Sequence, residues 1–116
     1  MKGGAYKAIR ETNDAGEVHH MPAASVSPLS VAEGPAIWME AADHHQTASW
    51  GRSRSALLYR KQQQTLIQQG RFEGALQMDI DDIRSKFGSK YDEAIEQMLE
   101  YIETIRDRWN PTNIEE

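Results

Sequence analysis

Glu17-Val18-His19-His20-Met21-Pro22, residues 17–22, and Pro35-Ala36-Ile37-Trp38-Met39-Glu40, residues 35–40, are the stretches on which the fold class turns. The first predicts a short extended segment over Glu17–Met21, because the residue before a proline is pushed out of helical geometry. The second holds an apolar run, Ala36–Met39, that fits a buried strand; by periodicity alone it fits a turn of buried helix equally well. Around both, Gly3-Gly4, Asn13-Asp14, Gly16, Pro22, Ser27-Pro28 and Gly34-Pro35 punctuate the backbone. No long helical period is visible before residue 51.

Beyond residue 51 the pattern becomes helical. The spacing predicts one helix from about Ser53 to Gln69, stopped by Gly70. A second runs from about Phe72 to Phe87, with Phe72, Leu76, Ile80, Ile83 and Phe87 on one stripe and Gly88 closing it. A third opens with Ser89 as N-cap and Asp92 and Glu93 in its first turn. Its stripe is Tyr91, Ile95, Met98, Ile102, Ile105 and Trp109, which is one face to bury. Asn110-Pro111 ends it, leaving Thr112–Glu116 as a loose tail. The polar run Arg60-Lys61-Gln62-Gln63-Gln64 reads as an exposed helix face, and Tyr59, Trp38 and Trp50 as packing aromatics. The expected class is therefore α+β, with short extended segments in the first half followed by about three packed helices.

At 116 residues the chain is expected to be a single domain. Residues 1–50 carry three basic and six acidic side chains, residues 71–116 six and twelve. Between them, Arg52, Arg54, Arg60 and Lys61 stand in a segment without a single acid. The net charge of −5 weighs against nucleic-acid binding, but a local basic patch can steer a phosphate backbone even on an acidic protein. The same four charges also fit an ordinary solvated face. No apolar run approaches the roughly 18–20 residues of a membrane span. Met1-Lys2-Gly3-Gly4-Ala5-Tyr6 lacks the apolar core of a secretory signal. The chain has no cysteine, which excludes disulfides, zinc ribbons, cysteine nucleophiles and the His/Cys/Cys zinc site of nucleobase deaminases.

The chemistry concentrates in four histidines arranged as two adjacent pairs, His19-His20 and His44-His45. Both pairs lie in the irregular half, and acids flank them: Glu17 before the first, Asp43 before the second. On an ideal strand His19 and His20 point to opposite faces. A strand end or bulge, which Pro22 favours, would let one ring bind a metal while its neighbour approaches a water. That division of labour suits phosphodiester hydrolysis, in which an imidazole takes a proton from the attacking water and a divalent cation stabilises charge on the phosphate. Each residue also has a plainer role open to it. The histidines can be exposed loop or capping groups, Glu17 a solvated strand residue, and Asp43 a helix N-cap. Thr47 and Ser49 can contact phosphate or serve the backbone.

Three segments carry a family resemblance: Gly16-Glu17-Val18-His19-His20-Met21-Pro22-Ala23, Gly34-Pro35-Ala36-Ile37, and Asp43-His44-His45-Gln46-Thr47-Ala48-Ser49-Trp50-Gly51. Over roughly residues 5–51 the chain resembles the HNH/endonuclease VII-like ββα-metal nucleases, particularly the toxin domains of bacterial polymorphic toxin effectors. The resemblance implies a short ββα-metal unit in the N-terminal half. It implies His19 as metal ligand, His20 as general base, and His44, which would open the helix of the unit, as a further ligand, with His45 the second candidate. Glu17, Asp43 and Thr47 become supporting residues. Such nucleases often place an asparagine between the two clusters to orient the base; none occurs between Met21 and Asp43, so a backbone carbonyl would have to orient His20.

The expectation that follows is a metal-dependent endonuclease hydrolysing DNA, with RNA the less favoured substrate and Arg52, Arg54, Arg60 and Lys61 binding the nucleic acid. The resemblance further implies a toxin module exported as part of a larger effector, acting in the target-cell cytoplasm and neutralised by a cognate immunity protein. Magnesium, manganese, nickel and zinc all remain open as the metal, although histidine ligation favours transition metals. The rival expectation is a non-catalytic metal- or protein-binding module. It is weakened by the lack of cysteine, which structural zinc usually recruits. A metalloprotease is disfavoured because no helix carries His-Glu-x-x-His.

Overall fold

A computed structural model describes residues 1–12 and 15–108. In chain order the elements are β1 (Gly3–Ala5), α1 (Tyr6–Thr12), β2 (Glu17–His20), β3 (Pro35–Met39), α2 (Ala41–His44), α3 (Arg54–Gln68), α4 (Phe72–Phe87) and α5 (Asp92–Thr104), then a 3₁₀ turn over Arg106–Arg108. The fold is α+β. Three antiparallel strands in the order β1-β3-β2 form the sheet, and the later helices pack over it. No helix among the described residues is long and apolar enough to cross a membrane.

The apolar run at 36–39 is a strand. Its position at the centre of the sheet explains its composition, since a strand flanked on both sides has little solvent to face. Ile37 and Met39 are fully buried and join Met21 against Leu76, Ile80 and Ile83 of α4 and Ile95, Met98 and Ile102 of α5. The helical stripes read from the sequence are thus the second layer of the core.

Local signals place the helix ends. Ser53 is the N-cap of α3, its side chain accepting a hydrogen bond from the Ala56 N–H at 3.1 Å. Gly70, at φ +77°, closes the same helix. The Arg71 N–H reaches the Leu66 carbonyl at 2.8 Å and the Gly70 N–H reaches Ile67 at 3.0 Å, which is the paired-bond Schellman stop. Gly88 ends α4. Ser89 is not the N-cap of α5. The chain makes one further turn and Tyr91 takes that position, because its ring is needed in the core and its hydroxyl elsewhere. That helix also ends earlier than expected, at Thr104 with Ile105 as its C-cap, while Trp109 and the tail to Glu116 lie outside the described residues.

Two elements were not expected. The Gly3-Gly4 pair, which reads as a break, is an edge strand pressed against α5. A Cβ added at Gly3 would sit 1.9 Å from the Ala94 carbonyl oxygen, so only glycine permits the approach. The Gln97 side-chain oxygen then accepts from the backbone N–H groups of Lys2 and Gly3 at 2.7 and 3.1 Å. The strand runs straight into α1, whose first two N–H groups are satisfied by the Gly34 and Ala32 carbonyls.

The glutamine run on α3 is only partly solvated. Gln63 is 0% exposed. Its amide donates to the Ala75 carbonyl and to Asp79, at 3.0 and 2.9 Å, while Tyr59 donates its hydroxyl to the same carboxylate at 2.8 Å. This buried polar network joins α3 to α4. Arg60 is half-buried for a separate reason given below.

Candidate metal centre

The strand β2 is regular and unbulged: Glu17 pairs with Met39, Val18 with Trp38, His19 with Ile37 and His20 with Ala36. Alternation therefore holds, and Glu17 and His19 share one face while His20 takes the other. The chain leaves β3 at Met39 and turns at once into α2, with Glu40 as its N-cap. That turn brings His44 and His45 onto the face holding Glu17 and His19. His44 closes this short helix instead of opening it, because the helix begins at Ala41 directly after the strand. Asp43 is accordingly not the N-cap.

Glu17 is the centre of the cluster. One of its carboxylate oxygens lies 2.6 Å from Nδ1 of His44, and both lie 3.0 Å from Nε2 of His45. Hydrogen bonding from His44 in the first place, with His45 adding to it, holds the Glu17 carboxyl below its usual range. One carboxylate oxygen and one ring nitrogen from each histidine lie within 4.8 Å of one another, so the three side chains could together hold a metal ion. Sequence reasoning gave Glu17 only a supporting place. The signal that could have raised it is its i, i+2 relation to His19 on a strand.

His19 stands behind this triad, 3% exposed, its ring centroid 4.9 Å from that of His44. Burial, with the nearby charge of His44 and His20 adding to it, drives its pKa down to about 3. It is therefore a neutral imidazole at physiological pH. Among the described residues its buried Nε2 has no hydrogen-bond partner, a state that costs about 1–3 kcal/mol for a polar atom. A cation beside it would satisfy that nitrogen. The donor set of one carboxylate and two imidazoles fits a transition metal better than magnesium.

His20 points away from the triad and stacks on Tyr6, the ring centroids 4.2 Å apart and 15° from parallel. Its Nε2 lies 2.9 Å from the Val31 carbonyl. A carbonyl can only accept, so Nε2 carries the proton and Nδ1 keeps its lone pair. A backbone carbonyl thus orients this ring. Burial lowers the His20 pKa, the Val31 contact opposing the shift. Gly34 leaves room for the ring, since a Cβ there would meet His20 at 3.0 Å.

The remaining expected residues divide. The Asp43 carboxylate accepts from Tyr91 at 2.6 Å and from Lys90 at 2.7 Å, and these contacts hold its pKa down. It anchors α2 to the start of α5, and among the described residues it bonds no histidine of the cluster. The Thr47 hydroxyl donates to the His44 carbonyl at 2.7 Å, a backbone role. Arg60 is committed to structure: its guanidinium donates to the Ser49 and Gly51 carbonyls. Arg52, Arg54 and Lys61 are exposed. Trp50 is not a core aromatic. It stacks on His45 at 4.3 Å and leaves 45% of its surface in solvent.

No protein-family model, curated protein or solved structure matches the chain.

Proposed function

We propose that this protein is a metal-dependent endonuclease that hydrolyses phosphodiester bonds of DNA. The observation that carries the reading is the buried, unpartnered Nε2 of His19 beside the Glu17–His44–His45 triad. Glu17, His44 and His45 would hold the metal, with His19 contributing from behind. When bound, the metal supplies charge neutralisation on the phosphate and leaving oxygen. His20, the base expected from the resemblance, lies on the other face of β2 stacked on Tyr6, so the proton of the attacking water is not assigned to it. Arg52, Arg54 and Lys61 steer the nucleic acid, and RNA is the alternative substrate. By its resemblance the domain acts as a toxin module in a target cell, delivered within a larger effector and countered by an immunity protein.

Nicking of supercoiled plasmid by the purified protein, with magnesium, manganese, nickel or zinc and with EDTA, tests this. Cleavage that needs metal, is lost in Glu17→Ala and survives in His20→Ala is the expected result. Silence on plasmid, on single-stranded DNA and on RNA under every metal would sink the enzyme and favour a second reading. That reading is a closed metal-binding module, in which Glu17, His19, His44 and His45 complete a four-ligand site with no open position.

A further inference from the structure

We infer that the exposed face of Trp50 is a stacking platform for an unpaired base, so that the substrate is engaged as single-stranded nucleic acid. This rests on the nuclease reading above and adds to it the form of the substrate. Tryptophan normally hides most of its large ring, yet Trp50 is 45% exposed with one face laid on His45. The ring is therefore at the metal centre and open to solvent.

Its support is built, not loose. Lys86 donates to the Gln46 carbonyl at 2.8 Å, and the Ala48 N–H donates to Asp82 at 2.8 Å. Arg60 donates to the carbonyls on either side of the tryptophan, those of Ser49 and Gly51. Gly51, at φ +89°, then turns the chain away. Side chains from α3 and α4 thus fix the segment from three directions and present the indole in one place. A platform held this way has little ordering entropy left to lose on binding.

Charge completes the argument. Arg52 and Arg54 follow within four residues, both exposed, and among the described residues neither makes an ion pair. An open aromatic face beside free cations is the chemistry of single-strand recognition, in which bases stack and the backbone tracks the positive charge. Bases stacked inside an intact duplex offer no such face.

Binding is measured by fluorescence anisotropy in EDTA, so that cleavage and metal play no part. The probes are labelled oligo(dT), oligo(U) and a blunt duplex of equal length. Both single strands are expected to bind at least about tenfold more tightly than the duplex. Trp50→Ala should weaken single-strand binding by roughly tenfold, and Trp50→Phe by much less. Thermal melting of both variants shows whether the fold is kept. Equal affinity for duplex and single strands, or a folded Trp50→Ala that binds like wild type, would overturn the platform. A preference between oligo(dT) and oligo(U) assigns DNA or RNA. Trp50-dependent binding without cleavage under any metal would remove the nuclease reading and leave the platform; cleavage without Trp50 dependence would do the reverse.

Discussion

Tyr91 donates its hydroxyl proton to Asp43 at 2.6 Å, one residue before His44 of the candidate metal centre. The same oxygen accepts from the Glu40 N–H at 3.1 Å, so one phenol holds both ends of α2. Tyr91→Phe keeps the buried ring and removes only this grip. It should cost about 1–2 kcal/mol, seen as a fall of roughly 5 °C in melting temperature. The loosening of α2, which carries His44, is expected to weaken metal binding as well. Calorimetric titration with zinc or nickel checks the second effect, and unchanged metal affinity would detach Asp43 and Tyr91 from the site.

His19 predicts a pH dependence of stability. Its pKa of about 3 in the folded protein lies below the ordinary 6.5, so the unfolded chain binds the extra proton between those values. Stability from this group is full above about pH 6.5 and is lost as pH falls toward 3, at up to about 1.4 kcal/mol per pH unit. Urea unfolding of metal-free protein at pH 7 and pH 5 should show the loss, and His19→Gln should flatten it. An equally steep fall in the variant would assign the effect to other groups, His20 first among them, since its pKa is also lowered from 6.5 by burial.

Asp79 works in the opposite direction. Burial raises its pKa to about 7, against opposing hydrogen bonds from Gln63 and Tyr59 and with Asp82 nearby adding to the rise. The folded state therefore holds the extra proton, and this contribution is lost as pH climbs through 7. Asp79→Asn breaks the match to the Gln63 amide and should destabilise by about 2 kcal/mol at pH 6. The gap between wild type and variant should narrow by pH 9. A gap that stays constant would show that the carboxyl does not titrate in this range.

Gly3→Ala tests the approach of β1 to α5. The added methyl has backbone, not a flexible side chain, in its way at 1.9 Å. A cost of about 2–3 kcal/mol is expected in chemical denaturation, whereas Gly70→Ala meets open space and suffers only from its positive φ. Similar costs for the two would mean that the strand can move away.

What the sequence made legible was local. The stripe Leu76–Ile80–Ile83, the Ser53 cap and the Gly70 stop are each decided within a few residues, and each falls where the pattern puts it. The paired histidines were legible for the same reason, and their alternation on β2 follows from strand geometry. The rest depends on distant partners. Gly3-Gly4 is a strand only because α5 comes close enough to need glycine. Gln63 and Asp79 are buried because they find each other across two helices, which no helical period reports. Arg60 looks like a free cation until the Ser49 and Gly51 carbonyls are brought to it. Tyr6 beneath His20 and the Val31 carbonyl beside it left no mark in the spacing of residues.

The bonds from Gln97 to the backbone of Lys2 and Gly3 join positions 95 and 94 residues apart. Synthesis delivers β1 long before its partner helix. Closing so large a loop before any contact rewards it is slow. On the ribosome, then, the strand that edges the sheet must wait for almost the whole domain to emerge. A nascent chain halted before residue 92 would hold every residue of the histidine cluster and lack the helix against which their sheet is packed. Assembly of the site is thereby deferred until α5 has emerged, a delay that protease sensitivity of stalled chains would register.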